Sequence, residues 1–291
     1  MLLFLRERER EVVVVRDLKI FFSYNALGSS ENNLTLKQQI PSHTSMYERA
    51  VLSFEREKDI SFFFTMLQLP RKISSDVDLV GPLRNYLKSE ANRGGGGGVW
   101  SSIFGSGKES SGIEKHEDSL AQFNDLRKRA TSSSSSASVV MKNLAKYFEQ
   151  ISYAESKFPV GDSIRVKFSW NNAFSEKKKK RSLNTLSEEK ICVLFNMGCV
   201  HTELAIEADA DALQEKARHF RLAAGIFAAT RGFVAGEDMS KMSDLHTETL
   251  EMCEAIAIAS AQTCFYEKAV KAKMSPKTLC KLAMGCKSLF E

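Results

Sequence analysis

From Thr185 to Phe290 apolar residues recur at three- and four-residue intervals with only short polar breaks, and this long helical stretch constrains the fold more than any other feature of the chain. Thr185-Leu-Ser-Glu188 has the form of a capping box, in which a hydroxyl and a carboxylate satisfy each other's backbone amides at a helix start. Behind it Ile191, Leu194, Phe195, Gly198 and Leu204 follow helical spacing. Asp211 is placed to cap a second helix, with Leu213, Ala217, Phe220, Ala224 and Phe227 as its apolar face. Ser243-Asp244 is placed to cap a third, long helix carrying Leu245, Met252, Ile256, Ala259 and Phe265. Ser275-Pro276 sets a cap before a proline at the first helical position and opens a fourth helix with Leu279, Leu282, Ala283, Cys286 and Phe290. The short connections predict antiparallel neighbours. Ala223, Ala224, Gly225, Ala228 and Ala229 allow close helix contact.

Upstream the pattern is mixed. Ile164-Arg-Val-Lys-Phe-Ser-Trp170 alternates apolar and polar residues and predicts a strand. Ser61 to Leu69 reads as a second strand, stopped by Pro70. Asp76 or Asp78 can cap a short helix carrying Val80, Leu83 and Leu87. Further helices are predicted from about Lys115 to Lys128 and from Val139 to Ser156. The glycine run Gly94 to Gly98 and the serine tracts predict flexible loops near 93–112 and 131–138. Residues 1–59 could place short strands at Val12 to Val15 and Ile20 to Phe22 and a short helix at Met46 to Lys58, but they show no clear core pattern and read either as an extension with little order or as a product of gene modelling. The expected architecture is mostly α with a small β element at its N-terminal end, residues 60–291 forming one domain.

Composition narrows the function. With 43% hydrophobic and 26% charged residues the chain is not a disordered one. A net charge of +5 is too small to argue for nucleic acid, and no apolar run is long enough to span a bilayer. The six cysteines form no C-x-x-C pair and read as free thiols in a reducing, cytosolic setting. The five histidines are scattered, so neither metal nor cofactor is expected. Gly105-Ser-Gly-Lys108 suggests a phosphate loop, but Ser102 and Glu109 stand where glycine and a hydroxyl residue are required. A nucleotide-binding enzyme built round Lys108 is therefore only the alternative reading. His201-Thr-Glu203 and His246-Thr-Glu248 are half of a deaminase motif without its cysteine partner. The basic run Lys177 to Arg181, read as a loop, is open to three readings: a solvated loop, a contact with anionic lipid or an acidic partner, or a nuclear address.

Several stretches in order resemble the Bro-one (BRO) domain of the ALIX family of endosomal sorting scaffolds. They are Gln68-Leu-Pro-Arg-Lys-Ile-Ser-Ser-Asp-Val-Asp-Leu79 with Pro82-Leu83, Lys157-Phe-Pro159 with Arg165 to Phe174, and Glu189-Lys-Ile-Cys-Val-Leu-Phe-Asn196. Ala217-Arg-His-Phe220 with Ala223 to Phe227, and Ala261-Gln262 with Phe265 and Glu267-Lys268, complete the set. The resemblance covers residues 60–291. Residues 1–59 have no family counterpart, and the chain stops at Glu291 where the family domain continues through further helices, so a truncated, non-functional isoform is a further alternative.

The resemblance implies a curved, tetratricopeptide-like helical solenoid flanked by a small sheet. It implies a non-enzymatic module that acts without a small-molecule substrate. Such a module is cytoplasmic, is recruited peripherally to endosomal membranes, and serves multivesicular body formation and membrane scission. The implied partner is the C-terminal amphipathic helix of an ESCRT-III subunit of the charged multivesicular body class, held in an apolar groove. Matched residue by residue, the groove would use Phe265 and Leu282, with Thr278 where familiar members carry a large aliphatic residue, and Asp211 as an acidic contact to partner lysines. Thr278 and Leu282, four apart, share a helix face, and the Ser275-Pro276 turn folds that helix back on the one carrying Phe265. Without the resemblance, Phe265 and Leu282 would read as ordinary core.

Overall fold

A computed structural model describes residues 66–92, 110–132, 135–175 and 179–290. Helix α1 spans Val80–Asn92, α2 Ser110–Thr131 and α3 Ala137–Glu155. Strands β1, Phe168–Asn171, and β2, Lys180–Leu183, follow. Then come α4 Leu186–Glu207, α5 Leu213–Val234, a 3-10 turn Ser243–Leu245, α6 Thr247–Lys271 and α7 Pro276–Phe290. The class is as expected, mostly helical with a small two-stranded sheet. The expected extension 1–59, the glycine run and Lys108 lie outside the described residues.

Local chemistry explains the boundaries. The Asp78 carboxylate accepts the amides of Val80 at 2.9 Å and Gly81 at 3.3 Å and starts α1. The capping box forms: Glu188 donates its amide to Thr185 Oγ1 at 3.1 Å, and the Thr185 amide donates to Glu188 Oε2 at 2.9 Å. Pro276 opens α7 behind Ser275.

Other expectations are corrected. Asp211 is not a cap: a turn closed by Ala212 donating to the Asp209 carbonyl precedes α5, and the Asp211 side chain is used elsewhere. Ser243-Asp244 forms its own 3-10 turn instead of starting α6. The strand predicted from Ile164 begins only at Phe168, because Ile164 closes a turn with Pro159 and Gly161. Met66 to Leu69 carry no strand. Helix α2 opens at Ser110 and α3 at Ala137, so the edges of both expected loops are helical. Lys180 and Arg181, read as loop, begin β2, while Lys177 and Lys178 lie outside the described residues.

The contacts divide the chain into two units. The larger comprises Leu69–Leu204 and Ile226–Glu251. At its centre Glu189, fully buried on α4, accepts hydrogen bonds from Arg127 Nε at 2.9 Å, the Tyr147 hydroxyl at 3.2 Å and Trp170 Nε1 at 2.5 Å. Arg127 also donates to the Ser75 carbonyl at 3.0 Å and to Ser74 Oγ at 2.7 Å. Burial works against its charge, but Glu189 and Tyr147 together, through charge and hydrogen bonding, offset this and hold the guanidinium pKa above its ordinary value. Burial and the same carboxylate push the Tyr147 hydroxyl well above the usual tyrosine range.

The segment Leu69 to Ser75 is zipped into this unit by backbone bonds. Its Leu69 amide donates to Thr202 Oγ1 at 3.0 Å, and Asn196 pairs with both the amide and the carbonyl of Lys72 at 2.7 and 3.0 Å. Ser75 and Ile73 exchange backbone bonds with Ser169 and Asn171 along β1. The buried Lys72 ammonium pairs with Asp244. Gly198 is required where α4 meets Phe227, since a β-carbon there would stand 2.7 Å from the ring.

The smaller unit comprises the described part of Met1–Gln68 with Ala205–Gly225 and Met252–Glu291. Its core is Ala205, Ala217, Phe220, Ala261 and Cys264, with Met66 against it. Small residues dominate, so the helices approach closely. All six cysteines are free thiols. Burial pushes Cys264 up to about 12 and Cys286 to about 11, so both stay protonated.

Glu189→Gln leaves the Arg127 charge buried without its counter-ion. It is expected to cost about 3–5 kcal/mol of folding free energy, measured by urea denaturation. A loss below about 1 kcal/mol would show that Arg127 is not held by that charge.

Candidate functional site

The four residues marked in the sequence all fall in the smaller unit. Phe265 lies on α6 and is 38% exposed, so it is not core. Seven residues earlier on α6, Ile258 is 39% exposed and shares that face. On α7 Thr278 and Leu282 are half-buried, one turn apart.

The two helices meet one turn further from their connecting bend. There Gly285 packs against Gln262, where an added β-carbon would stand 3.3 Å from its amide, and Cys286 hydrogen-bonds Thr263. Stepping one turn toward the bend along each helix reaches Phe265 on α6 and Leu282 on α7. The arrangement therefore places these two at the same level of the helix pair. The next turn reaches Thr278, whose hydroxyl is already bonded to Ser275 Oγ at 2.9 Å.

Asp211 is fully exposed beside this pair and binds Lys271 of α6 at 2.7 Å. The hydrogen bond and charge of Lys271 hold its carboxyl below the ordinary 3.8. Asp211, Glu215, Arg218, Lys268 and Lys271 line an open depression. Lys268 Nζ donates to Gln214 Oε1 at 3.1 Å, and Glu215 stands 3.9 Å from His219. Burial, with the charge of Arg218, depresses the His219 pKa, so near neutral pH the ring carries no charge to offset Glu215. Three cations and two carboxylates thus border the depression, an excess of one positive charge.

The sequence reading did not single out Arg218, Lys271 or Ile258. The available signal was the Ile258 and Phe265 seven-residue step and the Lys268 and Lys271 three-residue step on one helix. Nothing local reveals that Asp211 meets Lys271, sixty residues away. Among the described residues no group of three His, Cys, Asp or Glu side chains is placed to hold a metal ion. Among them, too, no helix is long and apolar enough to cross a membrane.

Residues 101–291 match the family model of the BRO1-like domain. The chain is 27% identical over 223 residues to ALG-2 interacting protein X of Dictyostelium discoideum, covering 75% of this chain and 26% of that protein. It is 29% identical over 230 residues to programmed cell death 6-interacting protein of Xenopus laevis, covering 75% and 25%. Against vacuolar-sorting protein BRO1 of Arabidopsis thaliana it is 28% identical over 236 residues, covering 78% and 26%. The chain spans about a quarter of the length of these curated relatives. A solved ALIX BRO1 CHMP4C complex superimposes with a TM-score of 0.66 at 25% identity, over 77% of this chain and 62% of that one. A second structure, of a Bro1 domain studied for endosomal targeting, shares the fold with a TM-score of 0.60.

The depressed Asp211 pKa makes its pairing with Lys271 complete above the ordinary value of 3.8 and lost as pH falls through the lower folded value. In Lys271→Ala the Asp211 carboxyl is expected to titrate higher, back toward 3.8. Side-chain carboxyl NMR against pH measures it, and an unmoved titration would remove the pairing.

Proposed function

This chain belongs to the BRO1-like domain family, and from that premise we propose that it is a non-enzymatic docking module for the C-terminal amphipathic helix of an ESCRT-III subunit. It works in the cytoplasm, recruited peripherally to endosomal membranes, in multivesicular body formation and membrane scission. One observation carries the reading: Phe265 stands open to solvent at the level of Leu282, with Ile258 in line on the same helix. A phenylalanine in that position does little for the core and much for a partner.

An amphipathic helix offers apolar side chains at i, i+3, i+4 and i+7, which suits a row of this kind. A buried anchor at such a contact is worth roughly 2 kcal/mol or more. Charged groups at the rim steer the encounter more than they hold the complex. The depression with Arg218, Lys268 and Lys271 suits acidic positions on the partner, and Asp211 suits a lysine that displaces Lys271. Thr278 contributes a methyl and a hydroxyl already satisfied by Ser275, so this groove binds less tightly than one with an aliphatic side chain there. The BRO1 structure solved with CHMP4C, an assembly named for that partner, supports the same kind of ligand here.

A peripheral contact between the basic run Lys177 to Arg181 and an anionic membrane belongs to the same proposal. Lys180 and Arg181 are exposed on β2, and such charges contribute about 1 kcal/mol each near an anionic surface.

Titration of an ESCRT-III C-terminal helix peptide tests the groove. Phe265→Asp and Leu282→Asp are each expected to weaken binding by at least about tenfold, and Thr278→Ile to strengthen it by about 1 kcal/mol. Unchanged affinity in both aspartate variants removes the site.

A further inference from the structure

Of the five prolines in the chain only Pro276 follows a hydroxyl residue; the others follow Ile40, Leu69, Gly81 and Phe158. That single Ser-Pro step sits in the bend between α6 and α7, where every residue from Val270 to Lys277 is exposed. Lys273 has a φ of 51°, in the left-handed region. Ser275 is held only by its own turn: the Thr278 amide donates to Ser275 Oγ at 3.3 Å, and the two hydroxyls lie 2.9 Å apart. No buried side chain has to be uncovered for this segment to extend.

The charge at the bend is one-sided. Lys271, Lys273, Lys277 and Lys281 fall within eleven residues that contain no aspartate or glutamate. Lys277 lies in the first turn of α7 and Lys273 just before it, at the positive end of its dipole, where an anion is favoured and a cation is not. Lys271, the last residue of α6, is drawn off to Asp211. A compact dianion on the capping oxygen would meet both the helix amides and the remaining lysines.

We propose that Ser275 is the acceptor site of a proline-directed serine/threonine kinase, and that its phosphate weakens the neighbouring groove for an acidic partner helix. In the transfer the Ser275 oxygen bonds to the γ-phosphorus of ATP and the bridging oxygen–phosphorus bond breaks. ADP leaves with that electron pair, and the hydroxyl proton passes to the kinase's base. The product carries about −1.5 to −2 charge near neutral pH. It stands three residues before Thr278 and seven before Leu282, at the rim of the row that includes Phe265. There it reverses the field that Lys268, Lys271 and Arg218 set up and repels an acidic helix. This second half rests on the groove proposed above; the acceptor site does not.

The test treats the full chain with a mitogen-activated protein kinase and MgATP, maps phosphate by mass spectrometry, and titrates both forms with an acidic-faced amphipathic helix peptide. One phosphate is expected on Ser275, absent in Ser275→Ala, with affinity lowered about fivefold at low salt and the difference closing at high salt. No phosphate on Ser275, when a free peptide spanning Lys271 to Lys281 is or is not modified, overturns the site. Phosphate on Ser275 with unchanged affinity overturns the control. If the unmodified chain binds no peptide, the groove itself fails, and the mass spectrum alone judges the acceptor.

Discussion

The larger unit is organised round one buried negative charge. Glu189 sits where water cannot reach it, an arrangement that is unfavourable unless the charge is fully paired. Arg127, Tyr147 and Trp170 supply three donors from α2, α3 and β1, and Arg127 passes the connection on to Ser74 and Ser75. One side chain thereby ties together three helices, a strand and an extended segment. It also explains why a tryptophan indole, a tyrosine hydroxyl and a guanidinium can all be buried at once.

The smaller unit follows a different rule. Its core is built largely of alanines round Phe220, so its helices approach closely and need few large side chains inside. Several large apolar residues of α6 and α7 stay exposed: Ile258, Phe265 and Val270 on one, Met284 on the other. Buried interiors and free surfaces ordinarily sort the opposite way, and the exposed Ile258 and Phe265, seven residues apart on one face of α6, are the observation on which the proposed docking rests. The exposed Asp211 and Lys271 pair adds little to stability.

Much of this was readable from short-range chemistry. The Thr185 and Glu188 box, the Asp78 cap and the Ser275-Pro276 start each depend on residues within four positions, and each forms. The failures share a cause. Asp211 and Asp244 look like helix caps, yet each is used by a lysine far along the chain, Lys271 and Lys72. The alternation from Ile164 to Trp170 describes which side chains are buried, but a strand also needs a paired neighbour, and β2 reaches only Phe168 to Asn171. For the candidate site, Phe265 and Leu282 were legible as a helical pattern and through family resemblance. Whether they faced in or out was not, because one helical stripe serves a core and a groove equally well. Exposure takes Phe265 out of the core, and the groove stays a proposal.

The most direct test of a helix-binding row on α6 and α7 is hydrogen–deuterium exchange of the chain with and without an ESCRT-III C-terminal helix. The account expects slowed exchange in peptides spanning Ile258 to Lys271 and Pro276 to Gly285, with the amides round Glu189 unchanged. Protection confined to other segments, or none at saturating peptide, would contradict it.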